Sequence, residues 1–87
     1  DLKRVISTMG LCSGGAANKL EEAVAEGLDL YLTGEAEEWT QAQAHELGIA
    51  FVAGGHHRTE RFGPRRLANY LCEQGYDATF IDVANPV

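Results

Sequence analysis

A pair of adjacent histidines followed by a glutamate is the feature of this 87-residue sequence best suited to chemistry. These residues lie in the segment AGGHHRTERFG, residues 53–63. His56 and Glu60 are four positions apart, so on a helix they would share one face with Cβ atoms about 5–6 Å apart. Imidazole and carboxylate groups both bind divalent metals such as zinc, iron and manganese. The same spacing also fits a simple His–Glu hydrogen bond at a helix start, and zinc usually takes three or four ligands rather than two.

His57 and Glu35 are candidates for proton transfer. His57 neighbours His56 but should point elsewhere, where it could support a metal ligand, shuttle a proton or contact a substrate. The alternative is an exposed loop histidine. Glu35 follows a predicted strand in the tripeptide TGE, where it could act as a general acid or base or support a metal ligand. The alternative is a carboxylate at a helix start, where the helix dipole favours negative charge.

Two further segments could bind an anion. The segment CSGG, with Ser13 and Gly14, resembles a glycine loop that offers backbone N–H groups at a helix start. It matches neither GxGxxG nor a Walker loop, and Ser13 could instead be a helix N-cap. Basic residues are concentrated after the histidines: four of the seven lie within nine positions, namely Arg58, Arg61, Arg65 and Arg66. They could hold a phosphorylated ligand or form a solvated face.

The overall composition excludes some classes of partner. A net charge of −6 argues against general, charge-driven binding to nucleic acid or membranes. No apolar run approaches the ~20 residues of a membrane helix. The two cysteines, Cys12 and Cys72, form no CxxC motif and are expected to be reduced thiols in a cytoplasmic protein. The chain begins at Asp1 without a methionine, which predicts a fragment of a longer protein.

Strand and helix patterns alternate along the chain. Short apolar runs rich in β-branched residues predict strands at residues 3–8, 28–34, 49–55 and 78–83. Helix-forming runs that end at glycine predict helices at residues 16–27, 35–48 and 58–75. In the third helix, Leu67, Tyr70 and Leu71 should share one packed face. Pro64 belongs in a first helical turn, so either the regular helix begins near Gly63 or a short turn holding Glu60 precedes it.

The β-α-β-α-β-α-β order predicts an α/β fold. We expect one domain over residues 1–87, with a mainly parallel sheet of about four strands and helices packed on it. In such sheets, sites form beyond the carboxyl ends of the strands. Three loops leave those ends, with the sequences MGLCSGG, TGEAEE and GGHHRTE. Topology therefore predicts that one side of the domain carries Cys12, Ser13, Glu35, His56, His57 and Glu60.

The motifs SGG, TGE, GHHxTE and FIDxxNP, in this order, resemble those of one family. It is the family of GTP cyclohydrolase 1 type 2 homologues, also called NGG-one-interacting-factor-three-like proteins, and the resemblance runs from about Val5 to Val87. In that family the first histidine of GHHxTE and its glutamate ligate a two-metal centre, which implies this role for His56 and Glu60. The TGE glutamate lies beside the centre, which implies a place there for Glu35.

The resemblance also implies an assembly larger than this chain. Family members consist of two similar α/β modules and assemble as a hollow toroidal hexamer, and their N-terminal module supplies the other metal ligands. This chain has no second histidine pair, since its remaining histidine is His45, and it resembles the carboxyl-terminal half alone. We therefore expect it to require the N-terminal module of the same protein as a partner. Without that module it should bind metal weakly and lack catalysis.

Together, the residues and the resemblance predict a cytoplasmic metal-binding module of a di-metal hydrolase with a nucleotide-like or phosphorylated substrate. The expected metal ligands are His56 and Glu60. Proton transfer is expected from Glu35 and His57. The anion is expected to bind at Ser13, Gly14 and Arg58. The alternative is a non-enzymatic toroidal scaffold that binds protein or single-stranded nucleic acid, with the metals in a structural role.

Overall fold

Within residues 4–84, which the computed structural model describes, three short strands form a parallel sheet. They are β1 (Met9–Cys12), β2 (Leu30–Thr33) and β3 (Ala50–Ala53), paired in the order β1-β2-β3. Met9 lies opposite Leu30, and Leu30 lies opposite Ala50. The predicted α/β class with a parallel sheet is therefore confirmed.

Four α-helices lie between and after these strands in the described part of the chain: α1 (Leu20–Ala25), α2 (Thr40–Leu47), α3 (His56–Glu60) and α4 (Phe62–Glu73). A 3-10 turn, Ala17–Lys19, leads into α1. Gly27 and Gly48, which were predicted to end the first two helices, follow them with φ of +73°, a left-handed conformation that glycine adopts without strain. No helix within residues 4–84 is long and apolar enough to cross a membrane.

The core lies between one face of the sheet and the helices α1 and α2. Its buried side chains are Leu20, Ala23, Tyr31, Ala44 and Ile49, with Val24, Leu28 and Phe51 packed against them. Leu20 is wholly buried, and a side chain of this kind contributes about 1.5–3 kcal/mol when it leaves water. Because α1 and α2 are fixed to the sheet in this way, the loops that join them to the strands are fixed as well.

The opposite face of the sheet is exposed. Side chains alternate between the two faces along a strand, so Met9, Leu11 and Val52 point away from the core residue Tyr31. Their exposed fractions are 56%, 66% and 41%. Parallel sheets are normally covered on both faces, so this apolar face is one that a further layer of structure would cover.

The first predicted strand, residues 3–8, begins at Lys3, which lies outside the described residues. Its described part, residues 4–8, is wrong in position, because the strand forms at Met9–Cys12. The cause is a side chain: the Asp29 carboxylate accepts hydrogen bonds from the N–H groups of Ser7 (2.9 Å) and Thr8 (3.0 Å). The Thr8 carbonyl in turn accepts from the N–H of Asp29 at 3.2 Å. Asp29 thus holds the two residues that precede the strand, and the parallel ladder starts after them.

Asp29 is expected to make stability depend on pH. The N–H groups of Ser7 and Thr8 hold the pKa of its carboxyl below the usual range. The unfolded chain therefore binds this proton more tightly, so the stabilisation is present above the ordinary carboxyl pKa of ~3.9 and is lost as the pH falls through the folded pKa. Asp29→Asn should lower the free energy of unfolding at neutral pH and remove this part of the acid sensitivity.

Urea unfolding at several pH values measures both effects of Asp29→Asn. Asp77→Asn is the control, because Asp77 is exposed and exposed substitutions usually change stability by less than about 0.5 kcal/mol. Equal stability losses in the two variants would contradict the role given to Asp29.

The fourth predicted strand, residues 78–83, is wrong for the described chain, because this segment pairs with no strand there. Side-chain contacts hold this segment against α4 instead. Cys72 Sγ donates to the carbonyl of Ala78 at 3.0 Å, and the Arg65 guanidinium lies 5.1 Å from the centre of the Phe80 ring. A strand needs a neighbour for its backbone N–H and C=O groups. Three strands rather than four therefore make up the sheet of residues 4–84.

The third predicted helix, residues 58–75, is two consecutive helices. Glu60 ends α3, and Pro64 lies in the first turn of α4, so a short turn precedes the regular helix. Leu67 and Tyr70, predicted to pack on one face, are 58% and 56% exposed. Within residues 4–84, the main contact of α4 with another element is with α3.

Candidate functional site

Three glycine-containing loops converge at the carboxyl ends of the strands, as the topology predicts. The backbone pairing of β2 and β3 continues into two of them: the N–H of Gly54 donates to the carbonyl of Thr33, and that of Gly55 donates to the carbonyl of Gly34, both at 2.8 Å. Gly55 has φ of +94°, in the left-handed region that favours glycine. This turn directs the chain into α3, which begins at the next residue.

Thr59 ties the loop after β1 to this turn. Its hydroxyl accepts a hydrogen bond from the N–H of Gly14 and donates to the carbonyl of Gly55, both at 2.9 Å. In the same loop, the N–H of Ala16 donates to the hydroxyl of the wholly buried Thr33 at 3.1 Å. The sequence patterns singled out neither threonine. The signal for Thr59 is its position in the first turn after Gly55, where threonine often bonds back to the carbonyl four residues earlier.

His56 lies between two carboxylates. Its Nδ1 is hydrogen-bonded to Oε1 of Glu35 at 2.8 Å, and its Nε2 is 3.1 Å from Oε1 of Glu60. The second contact is the i, i+4 pair that the spacing predicts on a helix face. The three side chains are 43%, 49% and 53% exposed, so a ligand can approach them from solvent.

Two glycines provide the space around this histidine. A Cβ on Gly14 would collide with Oε1 of Glu60 and lie 3.4 Å from Nε2 of His56. A Cβ on Gly15 would lie 3.3 Å from Oε2 of Glu35. The φ of +78° at Gly14 independently favours glycine. The loop after β1 can therefore approach the imidazole and both carboxylates because it carries no side chain at these two positions.

Glu35 lies in the loop between β2 and α2. The alternative of a helix-start carboxylate is wrong, because α2 begins only at Thr40 and its N-cap is Trp39. The Glu35 carboxylate instead reaches His56, 21 residues further along the chain. Its position is thus set by the turn after β2 rather than by a helix dipole.

His57 contacts a different part of the chain. Its Nε2 is 3.2 Å from Oδ1 of Asp82, and Nη1 of Arg61 is 3.9 Å from Oδ2 of the same carboxylate. The His57 side chain is 27% exposed, which does not fit the alternative of an exposed loop histidine. Asp82 was not among the candidate residues, although it lies in the FIDxxNP motif, the signal that could have identified it.

The groups considered for anion binding differ in their surroundings. The N–H of Gly14 is bonded to Thr59, so it has no hydrogen to offer an anion. Ser13 is exposed, and the alternative of an N-cap at Ser13 is wrong, since the N-cap of the turn before α1 is Ala16. Arg58 is exposed on α3, next to the histidine pair. Of these residues, Arg58 is the one whose placement suits a ligand that arrives from solvent.

Two of these side chains have the donor chemistry of metal ligands, but they do not form a complete metal site. Nδ1 and Nε2 of His56 point in diverging directions, so Glu35 and Glu60 cannot both join His56 on one ion. Within residues 4–84, no group of three or more His, Cys, Asp or Glu side chains is placed to hold a metal ion. Nε2 of His56 and the Glu60 carboxylate are suitable donors for a divalent cation, and a complete centre would need further donors.

Comparison with known proteins places this chain among relatives about three times its length. The family model described as Duf34/NIF3 (NGG1p interacting factor 3) matches residues 1–86. A GTP cyclohydrolase 1 type 2 homolog of Vibrio cholerae serotype O1 is 44% identical over 85 residues, and one of Pseudomonas aeruginosa is 44% identical over 87 residues. These matches cover 97% and 99% of this chain but only 34% of each relative.

A solved structure has the same fold. The structure of the protein ybgI, described as of unknown function, matches this chain with a TM-score of 0.84 and 44% sequence identity. The match covers 88% of this chain and 32% of that one. The α/β arrangement around the site is therefore shared with a longer protein.

Proposed function

This chain belongs to the Duf34/NIF3 (NGG1p interacting factor 3) family, and on that premise we propose that it is the metal-binding module of a di-metal hydrolase. One observation carries the proposal: Nε2 of His56 and Oε1 of Glu60 lie 3.1 Å apart, beside a glycine loop that keeps the space near them free of side chains. The relatives are named homologs of a GTP cyclohydrolase, which supports a nucleotide-like or phosphorylated substrate.

His56 and Glu60 supply one nitrogen and one oxygen donor to a pair of divalent ions, of zinc, iron or manganese. When bound, such ions lower the pKa of water toward ~7 and so supply hydroxide at neutral pH. A side chain at Gly14 would collide with Oε1 of Glu60, so glycine at this position leaves room for the Glu60 carboxylate beside His56. The remaining donors are proposed to come from an N-terminal module of the same polypeptide, which the family resemblance implies. The match covers only 34% of each relative, which is consistent with a longer polypeptide.

His57 and Arg58 follow His56 directly on α3 and are proposed to serve the substrate. The hydrogen bond between His57 and Asp82 holds the imidazole in one orientation, which suits a group that transfers protons. Arg58 offers a guanidinium to an anionic group of the substrate. Because the residues share one short helix, the metal donor and these two groups keep a fixed arrangement.

The exposed sheet face is the proposed contact with the N-terminal module. Met9, Leu11 and Val52 present apolar surface there, and covering it would complete the layers that a parallel sheet normally has. We propose that the remainder of a longer polypeptide covers this face, because the relatives are about three times as long as this chain. A cytoplasmic homo-hexamer is the assembly that the family resemblance implies.

The test uses the full-length gene product that contains these residues, with His56→Ala, Glu60→Ala and the control His45→Ala. Bound metal is measured by elemental analysis, and turnover is measured on a panel of nucleoside triphosphates and phosphate esters. The first two variants should lose metal and turnover while size-exclusion chromatography shows an intact oligomer. The control should keep both, because His45 lies in the last turn of α2, shortly before β3 begins and therefore at the opposite end of the sheet.

Two other outcomes would change the assignment. An absence of turnover on every nucleotide, with an assembly that dispersed when metal was removed, would favour the toroidal scaffold that binds protein or single-stranded nucleic acid. A wild-type protein that never retained metal would contradict both functions.

A further inference from the structure

Nδ1 of His56 is hydrogen-bonded to Oε1 of Glu35 at 2.8 Å, the shorter of the two contacts that the imidazole makes with carboxylates. A carboxylate without its proton has only acceptor atoms, so with Glu35 in that form the imidazole donates from Nδ1. In the neutral ring, Nε2 is then the nitrogen with the free electron pair.

The second ring nitrogen of His56, Nε2, faces Glu60. Nε2 of His56 lies 3.1 Å from Oε1 of Glu60, and with Nδ1 protonated both of these atoms are electron-pair donors. Two such donors at this distance repel each other unless a cation lies between them, either a proton or a metal ion.

The backbone fixes Glu35 in this position. Gly34, the residue before it, is buried, and its carbonyl accepts the hydrogen bond from Gly55, the residue before His56. Glu35 and His56 therefore each follow a glycine, and the two glycines are joined by a backbone hydrogen bond. In addition, a Cβ on Gly15 would lie only 3.3 Å from Oε2 of Glu35, so the loop after β1 limits where this carboxylate can move.

We propose that Glu35 is a positioning residue that holds the proton on Nδ1 of His56 and so presents Nε2, beside Glu60, to a metal ion. This inference rests on the proposed function, because it concerns the same ligand. It gives Glu35 a role other than proton transfer to substrate. Removal of such a supporting group commonly weakens metal binding by about 10- to 100-fold.

The first measurement needs no metal. Nitrogen NMR of the isotopically labelled, metal-free full-length gene product, at a pH where the imidazole is neutral, distinguishes a ring protonated on Nδ1 from one protonated on Nε2. His56 should carry its proton on Nδ1 in the wild type and in Glu35→Gln, because the amide oxygen can still accept the hydrogen bond. In Glu35→Ala the proton should move mainly to Nε2. Glu38→Ala, an exposed glutamate in the same loop, should leave the His56 signals unchanged.

The second measurement adds Zn²⁺ to the same samples. Glu35→Ala should bind Zn²⁺ at His56 about 10- to 100-fold more weakly than the wild type, and Glu35→Gln should lie between them. A wild-type His56 protonated on Nε2 that still binds Zn²⁺ would overturn this inference and leave the proposed function standing. A wild type protonated on Nδ1 that shows no Zn²⁺ effect at His56 would instead contradict the proposed function.

Discussion

Gly34→Ala is expected to lower the free energy of unfolding by about 1–3 kcal/mol, the usual penalty for overpacking a buried site. A Cβ at this position would collide with the carbonyl oxygen of Gly14, lie 2.7 Å from Cα of His56 and lie 2.9 Å from Oγ1 of Thr59. Two of these three atoms belong to the backbone and cannot rotate away. The loops after β1 and β3 must therefore separate, which also breaks the hydrogen bond between Gly14 and Thr59.

Urea unfolding of Gly34→Ala measures this loss, and Gly63→Ala is the matched control. A Cβ on Gly63 meets nothing within 4 Å. Gly63 lies in α4, and alanine is favoured over glycine within a helix by roughly 0.5–1 kcal/mol. The control should therefore be as stable as the wild type or slightly more stable. Wild-type stability of Gly34→Ala would show that the three loops do not pack together as described.

The class of fold could be predicted because its signals are local. Apolar strand runs, helix-forming runs and the glycines that follow them lie within a few residues of one another, as at Gly27 and Gly48. The start of β1 could not be predicted in this way. Residues 3–8 have the β-branched composition of a strand, whereas Met9–Cys12 was expected to belong to the loop that follows. The residues before β1 are held by the Asp29 side chain, which acts from 21 and 22 residues away.

Residues 78–83 show a second limit of local patterns. Their composition is typical of a strand, but a strand forms only where a neighbour completes its backbone hydrogen bonds. Within residues 4–84 the segment pairs with no strand, and side chains such as Arg65 and Cys72 hold it instead. Composition therefore indicates that a segment can form a strand, whereas a neighbouring strand determines whether it does.

The candidate site also contains some contacts that local sequence patterns predict and some that they do not. The contact between His56 and Glu60 follows from helix geometry, and the convergence of the loops follows from parallel topology. The contacts of Glu35 with His56 and of Asp82 with His57 join residues 21 and 25 positions apart. They depend on loop conformations that neither periodicity nor spacing encodes.

Mn²⁺ should broaden the NMR signals of the three histidines unequally. A paramagnetic ion acts most strongly on the nearest nuclei, and weak binding is sufficient, which suits a site with two donors on this chain. His56 should lose its imidazole signals first, because its Nε2 faces Glu60. His57 is the next residue on α3 and should follow, whereas His45 in the last turn of α2 should keep sharp signals.

The most direct test of the central claim, that His56 and Glu60 form one side of a metal centre, is this Mn²⁺ titration on the wild-type chain and on His56→Ala. The wild type should lose the His56 signals at the lowest Mn²⁺ concentration. In His56→Ala the signals of His57 should remain sharp at that concentration, because the nearest donor is gone. Broadening of His45 together with His56, or broadening of His57 that persisted unchanged in His56→Ala, would contradict the metal site.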